Sequence, residues 1–486
     1  MHFCQGLSQD VVRRLPHYRS DFYDARNRKV LGSAFYLFFA CLANAIAFGS
    51  LLGFLTGGEI GVIEMLIATA IGGIFYALFS AQPITLLGGT GPMVIFTALV
   101  YVVCQRFELN FIAVYCWCGI WAGLILVLLA VVNTSNLMRY FSRFTDDIFA
   151  ALVSIIFIYE AAKNIVETFH DRGANFTAWV GVFLAAGTCA LALFLPTLKR
   201  IGPRPANWAK FLADFAPTIA IVAITFLTVT VSSVSLEGAN VPLSFEDTTS
   251  GRPWLVELYA VPDWVKVAAI VPAFFAAVLL FLDQNITSHI INEGMAPLRK
   301  GHGYHLDLLL IGILTLVFSL FGLPWIVAAT IHSVNHLNSL TVEADDTETP
   351  TLAVVENRVS ALLIHLGIAA SIFMLTWVKF IPMPVLFGLF IFMGIVSLRA
   401  NSFFIRALSL AVPLVFRFAN PREKLASVGG RRRFTIVQLI CFCTLWLVKS
   451  SVLGLLFPIF IALCVPVRLL MTRIIDEVDL DLLDDN

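Results

Sequence analysis

The residues QPITLLGGTGP, numbers 82–92, interrupt one of the long apolar segments of this chain. A second interruption, GLPWIVAAT at residues 322–330, has the same character. Proline and glycine break the hydrogen-bond ladder of a helix, and in lipid such backbone survives only where it lines a cavity or is buried in protein. The two stretches therefore predict a pair of broken helices that face an internal site.

The composition places the rest of the chain in a membrane. Of its 486 residues, 59% are hydrophobic and 13% are charged, whereas about a quarter of the residues of a soluble domain carry charge. The 32 basic residues balance the 32 acidic ones, so net charge gives no reason to expect nucleic-acid binding. We find no nucleotide loop, catalytic dyad, disulfide framework or transition-metal pattern in the sequence. We expect a membrane protein that is not an enzyme and that needs no cofactor.

Fourteen apolar segments are long enough to cross the hydrocarbon layer as helices of about 20 residues. Seven spans in each half force the two halves to be inverted relative to each other, which is transporter architecture. The sequence thus predicts an all-α polytopic membrane protein built as a seven-plus-seven inverted repeat. The predicted spans are residues 31–54, 62–80, 84–104, 110–133, 148–168, 177–197, 212–233, 265–290, 306–322, 324–341, 360–378, 383–398, 435–449 and 452–470.

The distribution of basic residues sets the expected orientation. Most of the 32 lysines and arginines fall on the side of the N-terminus, so the positive-inside rule puts both termini in the cytoplasm. The N-terminal residues lack the order of a cleavable signal. The predicted organisation is a cytoplasmic segment at 1–30, a first repeat at 31–233, an external loop at 234–264, a second repeat at 265–470 and an acidic, solvated cytoplasmic tail at 471–486.

Each interruption lies in the third span of its half. The free amides and the positive dipole end of each half-helix would then point toward the middle of the membrane, where they attract an anion. The alternative is that glycine and proline kink two ordinary membrane helices without further role. The correspondence between the two halves favours an anion site.

Asp283 is the most informative ionisable residue inside a predicted span, because a charge at the bilayer centre costs at least about 2.5 kcal/mol. Thr287 follows it by four residues and so lies on the same face of a helix. A carboxylate and a hydroxyl one turn apart are hard oxygen ligands that suit a sodium ion. The alternative is a neutral, protonated Asp283 that hydrogen-bonds across helices.

Other polar residues in the spans have simpler explanations. His332 and His336 are four apart in span ten, but without a third ligand they do not predict a metal site. We expect His332 to form a hydrogen bond or sense protons, and His336 to be buried with its hydrogen bonds satisfied. Glu160 and Lys163 are expected to pair with each other, and Lys449 to extend toward the membrane surface.

A series of short motifs runs through nearly the whole chain. They are DFYDA (21–25), NAIAFG (44–49), AQP (81–83), TGP (90–92), FSRFT (141–145), IFIY (156–159), FLDQ (281–284), GYHLDL (303–308), LPW (323–325), AAT (328–330), KFIPMPVL (379–386) and LLDD (482–485). In these motifs and in their order, the chain resembles the bicarbonate transporters of solute carrier family four, which include anion exchangers, sodium-bicarbonate cotransporters and borate transporters.

The resemblance implies a secondary active transporter of bicarbonate or carbonate, with core and gate domains, a homodimeric assembly and an elevator-like mechanism. Asp283 followed by Gln284 is similar to the sodium-coupled members, which implies sodium bound at Asp283 and Thr287. The anion would lie between the half-helices of spans three and ten. The residues that this implies for the anion site are Thr90, Gly91, Ala329, Thr330, Ile331 and His332.

Departures from the family pattern bear on the coupling ion and on the kind of member. His332 replaces the arginine of the exchangers and the aliphatic residue usual in sodium-coupled members. Sodium-independent exchange of bicarbonate for chloride, and borate or proton-linked transport, therefore remain alternatives. The large N-terminal domain of animal members has no counterpart before residue 31, which favours a minimal or microbial member. We expect a plasma-membrane protein, or an inner-membrane protein if the source is bacterial.

Overall fold

The chain is described from a computed structural model. The residues that the structure describes are 4–136, 142–172, 176–200, 207–230, 253–292, 298–344, 351–374, 380–411, 421–451 and 454–484. Within them, seven helices are long and apolar enough to cross a membrane, and four shorter apolar helices accompany them. The prediction of an all-α polytopic membrane protein is confirmed. Most of the predicted external loop lies outside the described residues.

The chain divides into two compact units, each drawn from both halves of the sequence. The first unit comprises Met1–Asn136 and Leu191–Met383. Its elements are α1 (Gln5–Arg14), α2 (Ser20–Tyr23), α3 (Arg28–Leu55), α4 (Val62–Phe79), β1 (Leu87–Gly88), α5 (Gly91–Arg106), α6 (Phe111–Val131), α9 (Asn207–Asp214), α10 (Ala216–Thr230), α11 (Asp263–Ala268), α12 (Ile270–Asn292), α13 (His305–Leu320), β2 (Val327–Ala328), α14 (Thr330–Leu340), β3 (Thr341–Ala344), β4 (Thr351–Val354) and α15 (Val359–Ser371).

The second unit comprises Leu137–Ala190 and Pro384–Asn486. Helix α8 continues from this unit into the first, and α16 begins one residue before the boundary. The elements of the second unit are α7 (Arg143–Arg172), α8 (Phe176–Phe194), α16 (Met383–Ala400), α17 (Ser402–Ala411), α18 (Val428–Lys449), α19 (Phe457–Ala462), α20 (Cys464–Leu470) and α21 (Glu477–Asp484).

The two predicted interruptions meet inside the first unit. Strand β1 precedes α5, strand β2 precedes α14, and the two strands pair antiparallel with Leu87 opposite Ala328 and Gly88 opposite Val327. All four of these residues are buried. The prediction that residues 84–92 and 324–332 come together is confirmed, and each of the two spans is a short strand followed by a half-helix.

A turn at Gly322 prepares the second interruption. Gly322 has a positive φ of 61°, a left-handed conformation that glycine adopts without steric cost. Leu323 then donates its N–H to the Phe318 carbonyl at 2.9 Å, which closes the end of α13. The chain leaves the helix here and runs extended toward β2.

The N-terminal segment is tied to two distant loops of the same unit. Asp21 is fully buried and accepts hydrogen bonds from Arg14 at 2.7 Å, Arg358 at 2.9 Å and Lys300 at 3.0 Å. Arg14 also contacts Glu356 at 3.4 Å. The positive-inside rule places Arg14, Lys300 and Arg358 in inner segments on one side of the membrane, and the structure brings these three segments together.

Arg358 has a structural role that its position in a predicted inner loop did not reveal. Its side chain is 1% exposed, and it donates to the carbonyls of Ala77, Leu78 and Ser80 at 2.9, 3.2 and 2.7 Å. These are among the last carbonyls of α4 and the residue after it, which have no partner within the helix. Arg358 thus caps the helix whose C-terminal end leads into the first interruption.

The acidic C-terminal tail is not simply solvated, contrary to the prediction. Asp484 is buried, accepts the N–H of Phe144 at 2.6 Å and pairs with Arg468. Asp479 accepts hydrogen bonds from the hydroxyl and the N–H of Ser427, and these bonds lower the pKa of its carboxyl. The tail folds back as α21 because two of its carboxylates have donors within the second unit.

The predicted pairing of Glu160 with Lys163 is wrong. Glu160 pairs instead with Lys449 at 2.9 Å, while Lys163 contacts Glu167 at 3.6 Å. The Lys449 side chain is 9% exposed, with its ammonium over the rings of Tyr159 and Trp446. The pair between helices neutralises two charges in an apolar environment, whereas a pair of Glu160 with Lys163 would have left Lys449 without a carboxylate.

Replacing Arg358 by Met is expected to lower the free energy of unfolding by about 3 to 5 kcal/mol, because buried Asp21 loses one of its three cationic partners and the carbonyls at the end of α4 lose their donor. Thermal unfolding of the purified protein in detergent measures the change. Arg19→Met, which removes an exposed cation, is the matched control and should change stability by less than about 0.5 kcal/mol. Equal melting temperatures for the two variants would contradict the role given to Arg358.

Candidate functional site

Helix α12 touches the start of both broken helices through one face. Asp283 accepts a hydrogen bond at 2.8 Å from the hydroxyl of Thr90, the residue that precedes α5. One turn later, the hydroxyl of Thr287 lies 2.6 Å from that of Thr330, the first residue of α14. A carboxylate and three hydroxyls, assigned from sequence to two different ions, are therefore brought together.

The Asp283 carboxyl is almost completely enclosed. It is 6% exposed, Thr287 is fully buried, and Thr90 and Thr330 are half-buried. In the part of the chain that the structure describes, no lysine, arginine or histidine forms an ion pair with Asp283. A charged carboxylate in this position needs a compensating cation, because burying an unpaired charge is costly.

Both broken helices point uncapped N-termini at this region. Thr90 precedes α5 and Ala329 precedes α14, and neither side chain accepts a hydrogen bond from its helix. The first amides of a helix have no partner inside it, and the helix dipole adds a partial positive charge there. The ends that begin at Gly91 and Thr330 therefore offer N–H donors to an anion.

The extended backbone beside the site is held by polar groups of neighbouring segments. Gln284 accepts the N–H of Ala328 at 3.2 Å, and the Leu86 carbonyl accepts the N–H of Ala329 at 2.9 Å. Ser333 accepts the N–H of Leu86 at 3.0 Å and donates to the Ala329 carbonyl at 2.9 Å. These contacts join the two interruptions directly.

Two histidines and an asparagine hold the first interruption from other helices. His336 contacts the Ile84 carbonyl and the Ser360 hydroxyl, each at 2.7 Å. His365 contacts the Leu87 carbonyl at 3.3 Å, and Asn44 donates to the Gly89 carbonyl at 3.2 Å. The prediction that His336 is a buried, satisfied residue is confirmed.

Ile331 and His332, which were also predicted for the anion site, differ in how far their side chains are exposed. The Ile331 side chain is 55% exposed, so only its backbone amide could contribute to an anion site in this arrangement. His332 is half-buried, and its Nε2 lies 3.3 Å from the Ala40 carbonyl of α3. His332 therefore forms the predicted hydrogen bond, and the contact is to backbone.

Sequence reasoning gave no structural role to Gln284, Ser333 or Asn44. Each is a neutral polar residue within or beside an apolar stretch, and that was the available signal. The interpretation concentrated on charges, although a broken helix also needs neutral donors and acceptors for its freed backbone groups. Their positions around β1 and β2 identify them as supports of the site.

The oxygen atoms beside Asp283 fit a hard monovalent cation better than a transition metal. One carboxylate and the hydroxyls of Thr90, Thr287 and Thr330 are oxygen donors, which hard cations prefer. Among the described residues, no group of three histidine, cysteine, aspartate or glutamate side chains could hold a metal.

A model of the HCO3- transporter integral membrane domain matches residues 2–180 and 173–486 of the chain. The chain is 35% identical to the Band 3 anion transport protein of Rattus norvegicus, over 99% of the chain and 55% of that protein. It is 33% identical to sodium bicarbonate cotransporter 3 of Homo sapiens and 34% identical to anion exchange protein 2 of Rattus norvegicus, covering 46% and 43% of those proteins. The chain therefore spans about half the length of the curated relatives it matches.

Solved structures share the fold at low sequence identity. The transmembrane domain of the cyanobacterium bicarbonate transporter BicA superposes with a TM-score of 0.63 at 18% identity, covering 86% of this chain and 97% of that one. The murine Solute Carrier 26 family member A9 anion transporter, in its inward-facing state, gives a TM-score of 0.62 at 12% identity, covering 94% and 71%. These likenesses establish the fold alone.

Replacing Ser333 by Ala should destabilise the protein by about 1 to 3 kcal/mol, because the buried Leu86 N–H loses its acceptor. Ser371→Ala is the control, since that hydroxyl only donates to the Ile368 carbonyl at 2.7 Å. Hydrogen exchange at residues 84–90 would show the loss directly as faster exchange in the Ser333 variant alone. Unchanged exchange there would contradict the proposed support of the first interruption.

Proposed function

The chain belongs to the family of HCO3- transporter integral membrane domains, and on that premise we propose that it carries bicarbonate or carbonate across a membrane together with sodium. The observation that carries the proposal is the double contact of α12, in which Asp283 meets the start of α5 and Thr287 meets the start of α14. Acidic and hydroxyl oxygens for a cation thus adjoin amide ends suited to an anion.

The anion would bind between the two broken helices. The amide ends at Gly91 and at Thr330, Ile331 and His332 supply N–H donors, and the hydroxyl of Thr90 supplies a further one. Backbone donors carry only partial charge, so they bind a small anion without having to be neutralised when it leaves. This suits a transport site, which must release its substrate.

Sodium would bind to Asp283 and Thr287, with the hydroxyls of Thr90 and Thr330 close enough to share in its coordination. A hydroxyl offers lone pairs as well as a proton, so each can turn from its present hydrogen bond to face a cation. The bound sodium would neutralise Asp283 and place a positive charge beside the anion. Each ion then raises the affinity for the other by the same factor.

All residues of the proposed site belong to the first unit, so the bound ions could travel with that unit as a body. This supports an elevator-type alternating-access mechanism in which one unit carries the substrate. We also propose a homodimer in the plasma membrane, or in an inner membrane, with both termini cytoplasmic. The clustering of the N-terminal segment with Lys300 and Arg358, basic residues of two predicted inner loops, supports this orientation.

Sodium-independent exchange of bicarbonate for chloride is the second candidate. Relatives named as exchangers and as sodium cotransporters are similarly identical to this chain, and His332 lies in the first turn of α14 where it could contact an anion. Uptake driven by a chloride gradient without sodium would favour exchange. A borate substrate with strong pH dependence would favour borate or proton-linked transport.

Asp283→Asn is expected to abolish sodium-dependent bicarbonate uptake in proteoliposomes, because a neutral amide cannot compensate sodium in a buried site. Uptake is measured under separately imposed sodium, chloride and pH gradients. Asp263→Asn, which neutralises an exposed carboxylate at the start of α11, is the control and should transport normally. Full sodium dependence in the Asp283 variant would refute the assignment of the sodium site.

Thr287→Val should raise the sodium concentration for half-maximal uptake roughly tenfold, equivalent to about 1.4 kcal/mol of lost binding. The half-saturating bicarbonate concentration should also rise at low sodium and return to normal at saturating sodium, as linkage requires. Thr315→Val is the control, since this hydroxyl donates only to the Ile311 carbonyl of its own helix. An unchanged sodium requirement in the Thr287 variant would exclude that residue as a ligand.

A further inference from the structure

A second buried carboxyl lies in the first unit, away from Asp283. Asp307 is in the first turn of α13, is fully buried, and accepts the N–H of Ala81 at 2.7 Å through its Oδ1 atom. Among the described residues, its Oδ2 atom has no hydrogen-bond partner, and neither does the buried hydroxyl of Thr85. The Tyr76 hydroxyl lies against both. The backbone N–H of Gln82 also lies beside Asp307, but a buried carboxylate with one unpaired oxygen is still poorly compensated.

The positive end of α13 does not compensate Asp307, because Asp10 already occupies it. One oxygen of Asp10 accepts the N–H of His305 at 2.8 Å and that of Leu306 at 3.0 Å. Two carboxyls therefore lie at one helix terminus, and its free N–H groups donate to Asp10. The like charge of Asp10 disfavours a second negative charge at Asp307.

The other charged group that faces Asp307 is Arg358, and its donors are already engaged. Arg358 pairs with Asp21 and caps the carbonyls at the end of α4. Helix α6, which packs against α13, contains no aspartate, glutamate, lysine, arginine or histidine. Helix α12 carries Asp283 and His289 but presents the neutral Gln284 to Tyr76. On α1, which also packs against α13, Arg14 pairs with Asp21 and Arg13 donates to the His302 carbonyl. Among the described residues, no cation pairs with Asp307.

A chain of buried polar groups leads from Asp307 to the candidate anion site. The Tyr76 hydroxyl contacts Asp307 and accepts a hydrogen bond from Gln284 Nε2 at 3.1 Å. Gln284 Oε1 accepts the N–H of Ala328 in β2 at 3.2 Å. The four residues that form this polar connection are each 1% exposed or less. The charge on Asp307 can therefore influence the backbone beside α14 through a low-dielectric path.

We propose that Asp307 is a proton-binding site that regulates anion affinity, an inference that rests on the proposed transport function. The carboxylate takes the proton from water and becomes a neutral acid. The proton binds to Oδ2, the oxygen to which no described group donates a hydrogen bond. Nothing is oxidised or reduced, and release returns the proton to water. The ligand is a proton rather than sodium, because Ala81 and Gln82 offer N–H groups that cannot coordinate a cation. The Tyr76 oxygen already accepts a hydrogen bond from Gln284.

The effect on transport has a definite sign. A deprotonated Asp307 places a negative charge at one end of the polar chain, and this charge opposes an anion at the other end. The protonated form binds the anion more tightly, so anion affinity falls as the pH rises, and by linkage the bound anion favours protonation. A neutral substitute for Asp307 keeps the high-affinity state at every pH.

Infrared difference spectroscopy of the full chain tests proton binding independently of transport. The wild type should show a protonated-carboxyl stretch that Asp307→Asn lacks and that Asp283→Asn keeps. The Asn oxygen can still accept the Ala81 N–H, so the variant retains its structural contact. Tyr76→Phe is the second variant in case Asp307→Asn does not fold, and it should shift the same band. A band unaltered in Asp307→Asn, or in Tyr76→Phe, overturns the proposal whether or not the protein transports bicarbonate.

Uptake in proteoliposomes tests the regulatory consequence. From mildly acidic to mildly alkaline pH, the half-saturating bicarbonate concentration should rise about fivefold or more in the wild type. The half-saturating concentration should stay at the low value in Asp307→Asn. Comparing the two proteins at each pH cancels the change in bicarbonate speciation, which affects both equally. Asp307→Glu should restore the pH dependence. Identical pH profiles for wild type and Asp307→Asn would overturn the regulatory role. If neither protein transports bicarbonate while the infrared band behaves as expected, the proposed function fails and the proton site stands.

Discussion

The structure depends on satisfying the backbone groups that two broken helices leave without helical partners in the middle of an apolar protein. In lipid no water is available to these groups, and each one left unpaired would cost several kcal/mol. Here β1 and β2 satisfy part of the requirement by pairing with each other, and Asn44, Gln284, Ser333 and His336 satisfy much of the rest. The interruptions are stable because side chains from several different helices converge on them.

This convergence also makes α12 the element on which the candidate site depends. Successive positions of the helix serve different purposes: Asp283 contacts the start of α5, Gln284 supports β2, and Thr287 contacts the start of α14. A cation held by this face would lie next to both amide ends at once. The proposed coupling between sodium and anion then needs no long-range pathway, because the same hydroxyls take part in both sites.

The sequence was sufficient for the features that depend on local composition. Apolar runs, and the glycine and proline residues within them, predicted most membrane helices and the two interruptions, because hydrophobic length and backbone permissiveness are local properties. It was insufficient for the partners of buried charges. Glu160 pairs with Lys449 instead of the nearby Lys163, and the Arg358 side chain caps α4, an element distant in sequence. Which helices lie side by side decides such pairs, and spacing within one helix carries no information about it.

The two buried carboxyls of the first unit show how similar residues acquire different chemistry from their neighbours. Asp283 is surrounded by threonine hydroxyls, which can donate to the carboxylate or turn their lone pairs toward a cation. Asp307 has backbone N–H groups and a tyrosine hydroxyl, already engaged by Gln284, as its polar neighbours. A second acid, Asp10, holds the helix amides beside it. The first environment can be completed by sodium, whereas the second is relieved most simply by a proton. An assignment based only on burial would have treated the two residues as equivalent, and the hydrogen-bonding capacity of their neighbours separates them.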